Sequence, residues 1–424
     1  MKILWVKSGG LLPLTHGGRI RSYHLAKELA SFHDVSLFTF ASEEEDPVAA
    51  HVPLREIFKE VVCLPLKIPK ARGLQEALNY ARNLVSTRPY SMSKYCQPWI
   101  ARELRTHLAK TSYDVLLCDF LLTAAVVPWD WPHPKVLFTH NIEAVIWERQ
   151  YRVSKNPIWK AVSYREYRML ERMEREYISG ADHVLAVSEK DRDFFLRYAA
   201  KEKMTVIPTG VDVDYFRPQR GVEDPDLIVF TGSMDWMANE DGIIFFIEKV
   251  LPLVRQRFPK VKLSVVGRRP SERLRRIGAS KQGVEVTGTV DDIRPYLARG
   301  CVYVVPLLVG GGTRIKIFEA MAAGKAVVST TIGAEGLPVR HGENILLADE
   351  PEAFAKCVGE LLSNTVLRIQ ISTSARVFVE EKYSWKAVGQ IIAESLEAGA
   401  ERFKSTGYRD LIRGYSHSGA PNRT

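Results

Sequence analysis

The densest chemistry in this chain lies in Gly310-Gly311-Gly312-Thr313-Arg314-Ile315-Lys316-Ile317-Phe318-Glu319-Ala320-Met321-Ala322-Ala323-Gly324. This stretch follows an apolar run at 302–305, passes a proline, and continues into a helical pattern. Three glycines let backbone N–H groups at Thr313, Arg314, Ile315 and Lys316 approach an anion, and a helix N-terminus adds partial positive charge. Arg314 and Lys316 supply full charges suited to phosphate oxygens. Glu319 follows about one and a half turns into the helix, where a carboxylate accepts both hydroxyls of a ribose. An ordinary capped helix with surface cations would explain the helix but not three glycines beside two cations.

Two further motifs follow apolar runs. In Thr15-His16-Gly17-Gly18-Arg19, the pair Gly17 and Gly18 opens a helix and offers a second anion-binding turn. A plain strand-to-helix turn would look the same. It is not a GxGxxG, so a nicotinamide site has little support. His140, in Phe138-Thr139-His140-Asn141-Ile142-Glu143, ends a strand, where an imidazole can bind a sugar hydroxyl or stabilise developing charge. A satisfied structural histidine is the competing reading. Weaker signals stand at Thr231-Gly232-Ser233, where Gly232 and Ser233 end another strand, and at Gly267-Arg268-Arg269, where Arg268 is the better phosphate candidate. Thr287-Gly288-Thr289 offers backbone groups for a base edge. Asp212-Val213-Asp214 imitates a metal-binding DxD but falls in a connection. With no HExxH and no tight His/Cys cluster, no metal site is expected.

The elements that must hold these residues are short apolar strands alternating with amphipathic helices. Strands are predicted at 2–6, 35–39, 61–66, 115–118, 136–139 and 184–187. The rhythm restarts with strands at 227–231, 262–266, 284–287, 302–305 and 326–329, with one helix over 238–258. Such βαβ alternation predicts parallel sheets with helices on both faces. The expected division is a first domain over 1–205, a linker over 206–226 and a second domain over 227–383. A C-terminal helix over 384–403 is expected to pack back toward the first domain, followed by a disordered tail over 404–424. Open α/β sheets bind ligands at the carboxyl ends of their strands. Two of them facing across a cleft would gather all the motifs above.

Composition sets the frame. The 424 residues suit two domains of about 200 each. They are 46% hydrophobic and 26% charged, with a net charge of +9. No apolar run reaches the ~18–20 residues of a membrane helix; the longest, 115–127, is broken by Asp119. The N-terminal apolar stretch ends at Lys7, too soon for a signal peptide. The five scattered cysteines read as reduced thiols, so a cytoplasmic setting is expected. Nucleic-acid motifs are missing, which directs the positive charge toward phosphates or a lipid surface.

In this order, the motifs resemble those of the retaining GT-B glycosyltransferases of family four. The segments "ADHVLAVSE", "VIPTGVD", "VTGTVDD" and "FEAMAAGKAVVST" extend the likeness over residues 1–390. The resemblance implies two Rossmann-like domains facing across a cleft, with a nucleoside-diphosphate sugar held by the second and an acceptor by the first. It also implies no metal, no cofactor and retention of the anomeric configuration. Two departures stand out. The family's usual first C-terminal glutamate is Gly311 here, while Glu319 matches the second. The cation pair usual after the first strand of the second domain is missing from 233–242, leaving Arg314 and Lys316, or Arg268 and Arg269, to take its place.

The expected mechanism places Lys316, Arg314, the loop Gly310, Gly311, Gly312, Thr313 and Ile315, and the Gly17-Gly18 turn on the departing diphosphate, with His140 orienting the sugar. The acceptor is a glycan or a lipid-linked molecule of exopolysaccharide or cell-envelope synthesis. Residues 67–105 carry eight cations against two acids, and 149–175 eight against three, with aromatics interleaved. That pattern suits an anionic membrane surface at the inner face of a membrane; a solvated helical face would also fit. The alternatives are a nucleotide-sugar epimerase on the same fold and a non-catalytic nucleotide-sugar-binding subunit.

Overall fold

Apolar runs with scarcely a polar interruption form the strands, as expected where both sheet faces are covered. The computed structural model describes residues 1–14, 17–41, 52–66, 74–219, 221–309 and 315–416, with side chains at all of these except 74–77 and 406–416. The chain divides into two units, Met1–Pro208 with Gly389–Thr424, and Thr209–Val388.

The first unit holds β1 (Lys2–Ser8), β2 (Asp34–Ala41), β3 (Val61–Pro65), β4 (Val115–Asp119), β5 (Lys135–Phe138), β6 (His183–Ala186) and β7 (Met204–Val206). They make one parallel sheet in the order β3-β2-β1-β4-β5-β6-β7. The chain runs outward from β1 to β3, then returns to the other side of β1 with β4. The fork between β1 and β4 is where such a sheet opens a crevice at its carboxyl edge. Lys7 and Asp119 are register partners across that fork.

The second unit holds β8 (Asp224–Thr231), β9 (Lys262–Val266), β10 (Val284–Gly288), β11 (Gly300–Val305), β12 (Ala326–Ser329) and β13 (Leu346–Leu347). Their order is β10-β9-β8-β11-β12-β13, so the fork lies between β8 and β11. Each unit has its own apolar core, around Leu4, Phe40, Leu116 and Leu137 in the first and Phe230, Phe246, Val265 and Val304 in the second.

Four details differ from the sequence reading. Residues 204–206, where no strand was expected, form β7 on the edge of the first sheet, and β8 begins at Asp224, inside the linker expected over 206–226. The single helix expected over 238–258 is Met237–Phe245, a π-turn at Phe246–Val250, and Leu251–Arg257. Pro252 accounts for the wide turn, because it lacks an N–H for the carbonyl one turn earlier. The last helix runs Trp385–Ser416, beyond the end expected at 403. No proline interrupts 386–416, and isolated glycines weaken a helix without stopping it.

From Gly389 onward that helix counts with the first unit. A Cβ at Gly389 would come within 2.4 Å of Glu28 Cβ, and Ser395 Oγ lies 2.9 Å from His183 Nε2.

Candidate active site

At the fork of the first sheet, strand alternation puts Trp5 and Lys7 on one face of β1. Asp119 closes β4 beside them. Its Oδ2 accepts Trp5 Nε1 at 2.9 Å and stands 3.6 Å from Lys7 Nζ. Its Oδ1 lies 2.7 Å from His140 Nε2. All four residues are buried. Burial alone would raise the Asp119 carboxyl, but Lys7 and His140 more than offset it and hold it well below the usual range. Burial lowers His140 to about 4 despite Asp119, so the imidazole is neutral near neutral pH. Burial also lowers Lys7, against the pull of Asp119.

Phe120 completes the cluster. Its φ of 74° is unusual for a residue with a Cβ. The ring stacks on His140 at 3.7 Å between centroids and 8° between planes. Lys7 Nζ lies 4.2 Å from the ring centroid. Gly18 is there for this ring: a Cβ would fall 2.7 Å from Phe120 Cζ, whereas Gly17 faces open space. Both glycines open the helix Gly17–Leu29. The structure thus gives Gly18 a packing reason. Thr15 and His16 lie outside the described residues.

His140, expected to face the ligand crevice at the strand end, is 5% exposed. Its Nδ1 is buried without a hydrogen-bond partner in the structure. If Nε2 donates to Asp119, Nδ1 is left as the acceptor. Sequence reasoning missed Lys7 and Trp5, and noted Asp119 chiefly as a break in an apolar run. A charge at the carboxyl end of each of two buried strands was the available signal.

At the fork of the second sheet, Gly232 and Gly267 bring β8 and β9 together at their carboxyl ends. A Cβ at Gly267 would fall 1.7 Å from the Gly232 carbonyl oxygen, and one at Gly232 would fall 2.8 Å from Lys316 Nζ. Lys316 belongs to the helix Ile315–Ala322, which Ile315 opens. Its ammonium donates to Asn239 Oδ1 at 2.6 Å and lies 4.5 Å from the Phe230 ring centroid. Asn239 in turn donates to the Ser233 carbonyl at 2.8 Å. The stretch 233–242 has no cation of its own, and Lys316 reaches into it from a neighbouring element.

Glu319 is half-buried on the same helix. Burial raises its carboxyl to about 7, with Lys316 pulling the other way. Ser233 Oγ accepts Arg268 Nε at 2.6 Å and donates to Asp235. Asp235 also faces Arg268 at 3.9 Å and Arg269 at 3.4 Å. Both arginines are therefore partly neutralised. Gly310, Gly311, Gly312, Thr313 and Arg314 lie outside the described residues.

The DxD-like Asp212 has a local task. Its Oδ1 accepts the N–H groups of Asp214 and Tyr215 at 3.2 and 2.8 Å. Among the described residues, no group of three His, Cys, Asp or Glu side chains is placed to hold a metal ion. No described helix is long and apolar enough to cross a membrane. All five cysteines are free thiols.

Comparison with known proteins agrees with this architecture. A family model described as "Glycosyltransferase Family 4" matches residues 16–215, and one described as "Glycosyl transferases group 1" matches 225–364. An "Uncharacterized 44.6 kDa protein in cps region" of Klebsiella pneumoniae is 25% identical over 401 residues, 91% of this chain and 97% of that protein. The phosphatidyl-myo-inositol mannosyltransferase of Mycobacterium tuberculosis is 30% identical over 233 residues, 51% of this chain and 59% of that protein. Among solved structures, Anabaena HepE in complex with UDP aligns with a TM-score of 0.63 at 18% identity, covering 94% of this chain and 100% of that one. At that identity the likeness shows a shared fold.

Proposed function

Because the chain belongs to the group 1, family 4 glycosyltransferases and has their two-unit α/β GT-B fold, we propose that it moves a hexose from a nucleoside-diphosphate sugar to a glycan or lipid-linked acceptor. The setting we propose is capsule, exopolysaccharide or envelope synthesis. The cps-region relative and the lipid-acceptor mannosyltransferase support that setting. UDP in HepE makes a uridine donor the first to try.

The observation that carries this reading is Lys316. Its ammonium lies at the carboxyl end of β8, at the fork of the second sheet, one turn before Glu319. A departing diphosphate gains negative charge, and a fixed cation aimed at that charge lowers the barrier without reorganising. Lys316 and Arg314 take this role in the proposal, with backbone groups of 310–313 and Ile315. Gly232 keeps the space beside the ammonium free of a side chain. Arg268 and Ser233 hold the loop end, and Glu319 takes the ribose hydroxyls.

In the first unit, we assign His140, held by Asp119 at 2.7 Å, to the donor sugar and the Gly17-Gly18 turn to phosphate. Transfer proceeds with retention and without a metal. The epimerase and binding-subunit alternatives gain no observation of their own.

The test is a thermal-shift screen over nucleoside diphosphates and nucleotide sugars, followed by radiolabelled transfer and NMR of the product anomer. A ligand at 100 times its Kd adds about 2.7 kcal/mol. No shift with any nucleotide would defeat the proposal. An inverted anomer would remove the retention, and activity lost in EDTA and restored by a divalent cation would remove metal independence.

A further inference from the structure

Lysine carries its charge on a long, flexible stem, so a lysine that serves as a fixed cation needs something to hold it. Lys316 lies in the helix Ile315–Ala322. Its ammonium donates at 2.6 Å to Oδ1 of Asn239, on the separate helix Met237–Phe245. The amide is not free to turn over. Its Nδ2 donates to the Ser233 carbonyl at 2.8 Å, and a reversed amide would set its NH2 against the ammonium and its oxygen against that carbonyl. Asn239 is 3% exposed, and the buried Phe230 ring gives the ammonium a second contact at 4.5 Å.

The helix that carries Asn239 is anchored by contacts that do not involve Lys316. Glu240 accepts the hydroxyl and the N–H of Ser271 at 2.5 and 3.2 Å. Ser271 in turn caps the helix Glu272–Ser280 by accepting the Leu274 N–H at 3.2 Å. A Cβ at Gly242 would fall 2.7 Å from the Pro306 carbonyl oxygen, so this helix lies hard against the segment that leads from β11 toward Lys316. A Cβ at Gly232 would meet both members of the pair, Lys316 Nζ at 2.8 Å and Asn239 Nδ2 at 2.9 Å.

A buried asparagine is ordinarily explained by the hydrogen bonds it satisfies, and the bond to Ser233 would serve that purpose by itself. The bond to Lys316 does more. A carboxylate in this place would hold the ammonium more strongly but oppose an incoming anion, whereas an amide oxygen holds it and leaves the net charge whole. We propose that Asn239 is a positioning residue of the donor site: it fixes the Lys316 ammonium, uncancelled, beside the space that Gly232 keeps clear, so that a diphosphate meets a cation already in place. The assignment rests on the diphosphate role given to Lys316 above and makes that role depend on a second helix.

The test reads Lys316 and the ligand separately. Full-length wild type, Asn239→Leu and Asn239→Asp are labelled briefly with acetic anhydride, and acetylation of Lys316 is quantified by peptide mass spectrometry. Affinities for UDP, GDP and their nucleosides are measured by calorimetry. In Asn239→Leu the ammonium loses its acceptor, so Lys316 acetylates faster. Affinity for the diphosphate that the wild type binds falls about ten-fold or more, while affinity for the matching nucleoside is unchanged. In Asn239→Asp the ammonium stays held, so labelling is no faster than in the wild type, yet diphosphate affinity falls because the carboxylate opposes it. Damage to the fold alone would weaken nucleoside and diphosphate together and would not separate the two variants. Unchanged Lys316 labelling in Asn239→Leu, unchanged diphosphate affinity in either variant, or equal losses for nucleoside and diphosphate would overturn the assignment. If Asn239→Leu does not fold, Asn239→Asp decides: slow labelling with weakened diphosphate binding upholds the assignment, and faster labelling or undiminished binding overturns it. If the wild type binds neither UDP nor GDP, the functional reading falls and this assignment with it; if wild type and variants bind equally, only this assignment falls.

Discussion

Asp119→Asn keeps the shape of a fully buried side chain and removes its charge. In the wild type this carboxylate faces Lys7 at 3.6 Å and takes hydrogen bonds from Trp5 Nε1 and His140 Nε2. An amide oxygen can replace one of those acceptors but cannot neutralise an ammonium whose side chain is only 3% exposed. Removing one partner of a buried pair costs about 3–5 kcal/mol, chiefly because the other charge is stranded. For domains of roughly 150–250 residues each kcal/mol moves Tm by about 2–4 °C, so the first unit should melt roughly 6–20 °C lower.

Lys7→Met in the same background removes the stranded charge, and the double variant should regain most of the loss. Calorimetry and urea titration read both. The sign with pH also follows. Asp119 is held below the usual carboxylate range, so its contribution is complete above about pH 4 and is lost as pH falls through its lower folded value. If the single variant melted with the wild type, or the double variant melted lower still, the charge argument would be wrong.

Three other outcomes follow from the geometry. Lys316→Ala should lower turnover about 10²–10³-fold with folding intact; near-normal kcat would take Lys316 out of the mechanism. Burial raises the Glu319 carboxyl to about 7; in the proposed ribose role it accepts hydroxyls best when ionised, so uridine diphosphate affinity by calorimetry should rise from about pH 6 to about pH 8. Glu319→Gln should flatten that rise, and an unchanged profile would count against the ribose role. Gly18→Ala should destabilise the first unit by about 1–3 kcal/mol, despite alanine's better helix propensity, because its Cβ meets the Phe120 ring. Thermal melting decides it, and a more stable variant would contradict the packing argument.

The alternation of strands and helices was legible because each strand is an unbroken apolar run between turn residues. β7 and β13 were not, since three and two residues carry no usable period. His140 was found from its position at a strand end, but not its burial, which depends on Phe120 adopting a positive φ. Lys316 was recognised from its neighbours in sequence. Its contact with Asn239 was hidden, because it requires β8 and β11 to be adjacent. The same holds for Lys7 and Asp119: sheet order brings together residues far apart in the chain. The turn before Pro252 was missed because hydrophobic periodicity does not register one extra residue in a helix.

The chain leaves the first unit after Pro208 and re-enters it at Gly389. In genetic terms the second unit is an insertion, not an appendage. A stop codon after residue 208 would delete a helix from the half it was meant to preserve, leaving His183 without Ser395 and Glu28 without its cover. Recombination that exchanges the second unit among relatives therefore needs two crossovers, one on each side of 209–388. A protease nick at either junction alone would separate 389–424 from 1–208 and so divide the first unit between two fragments.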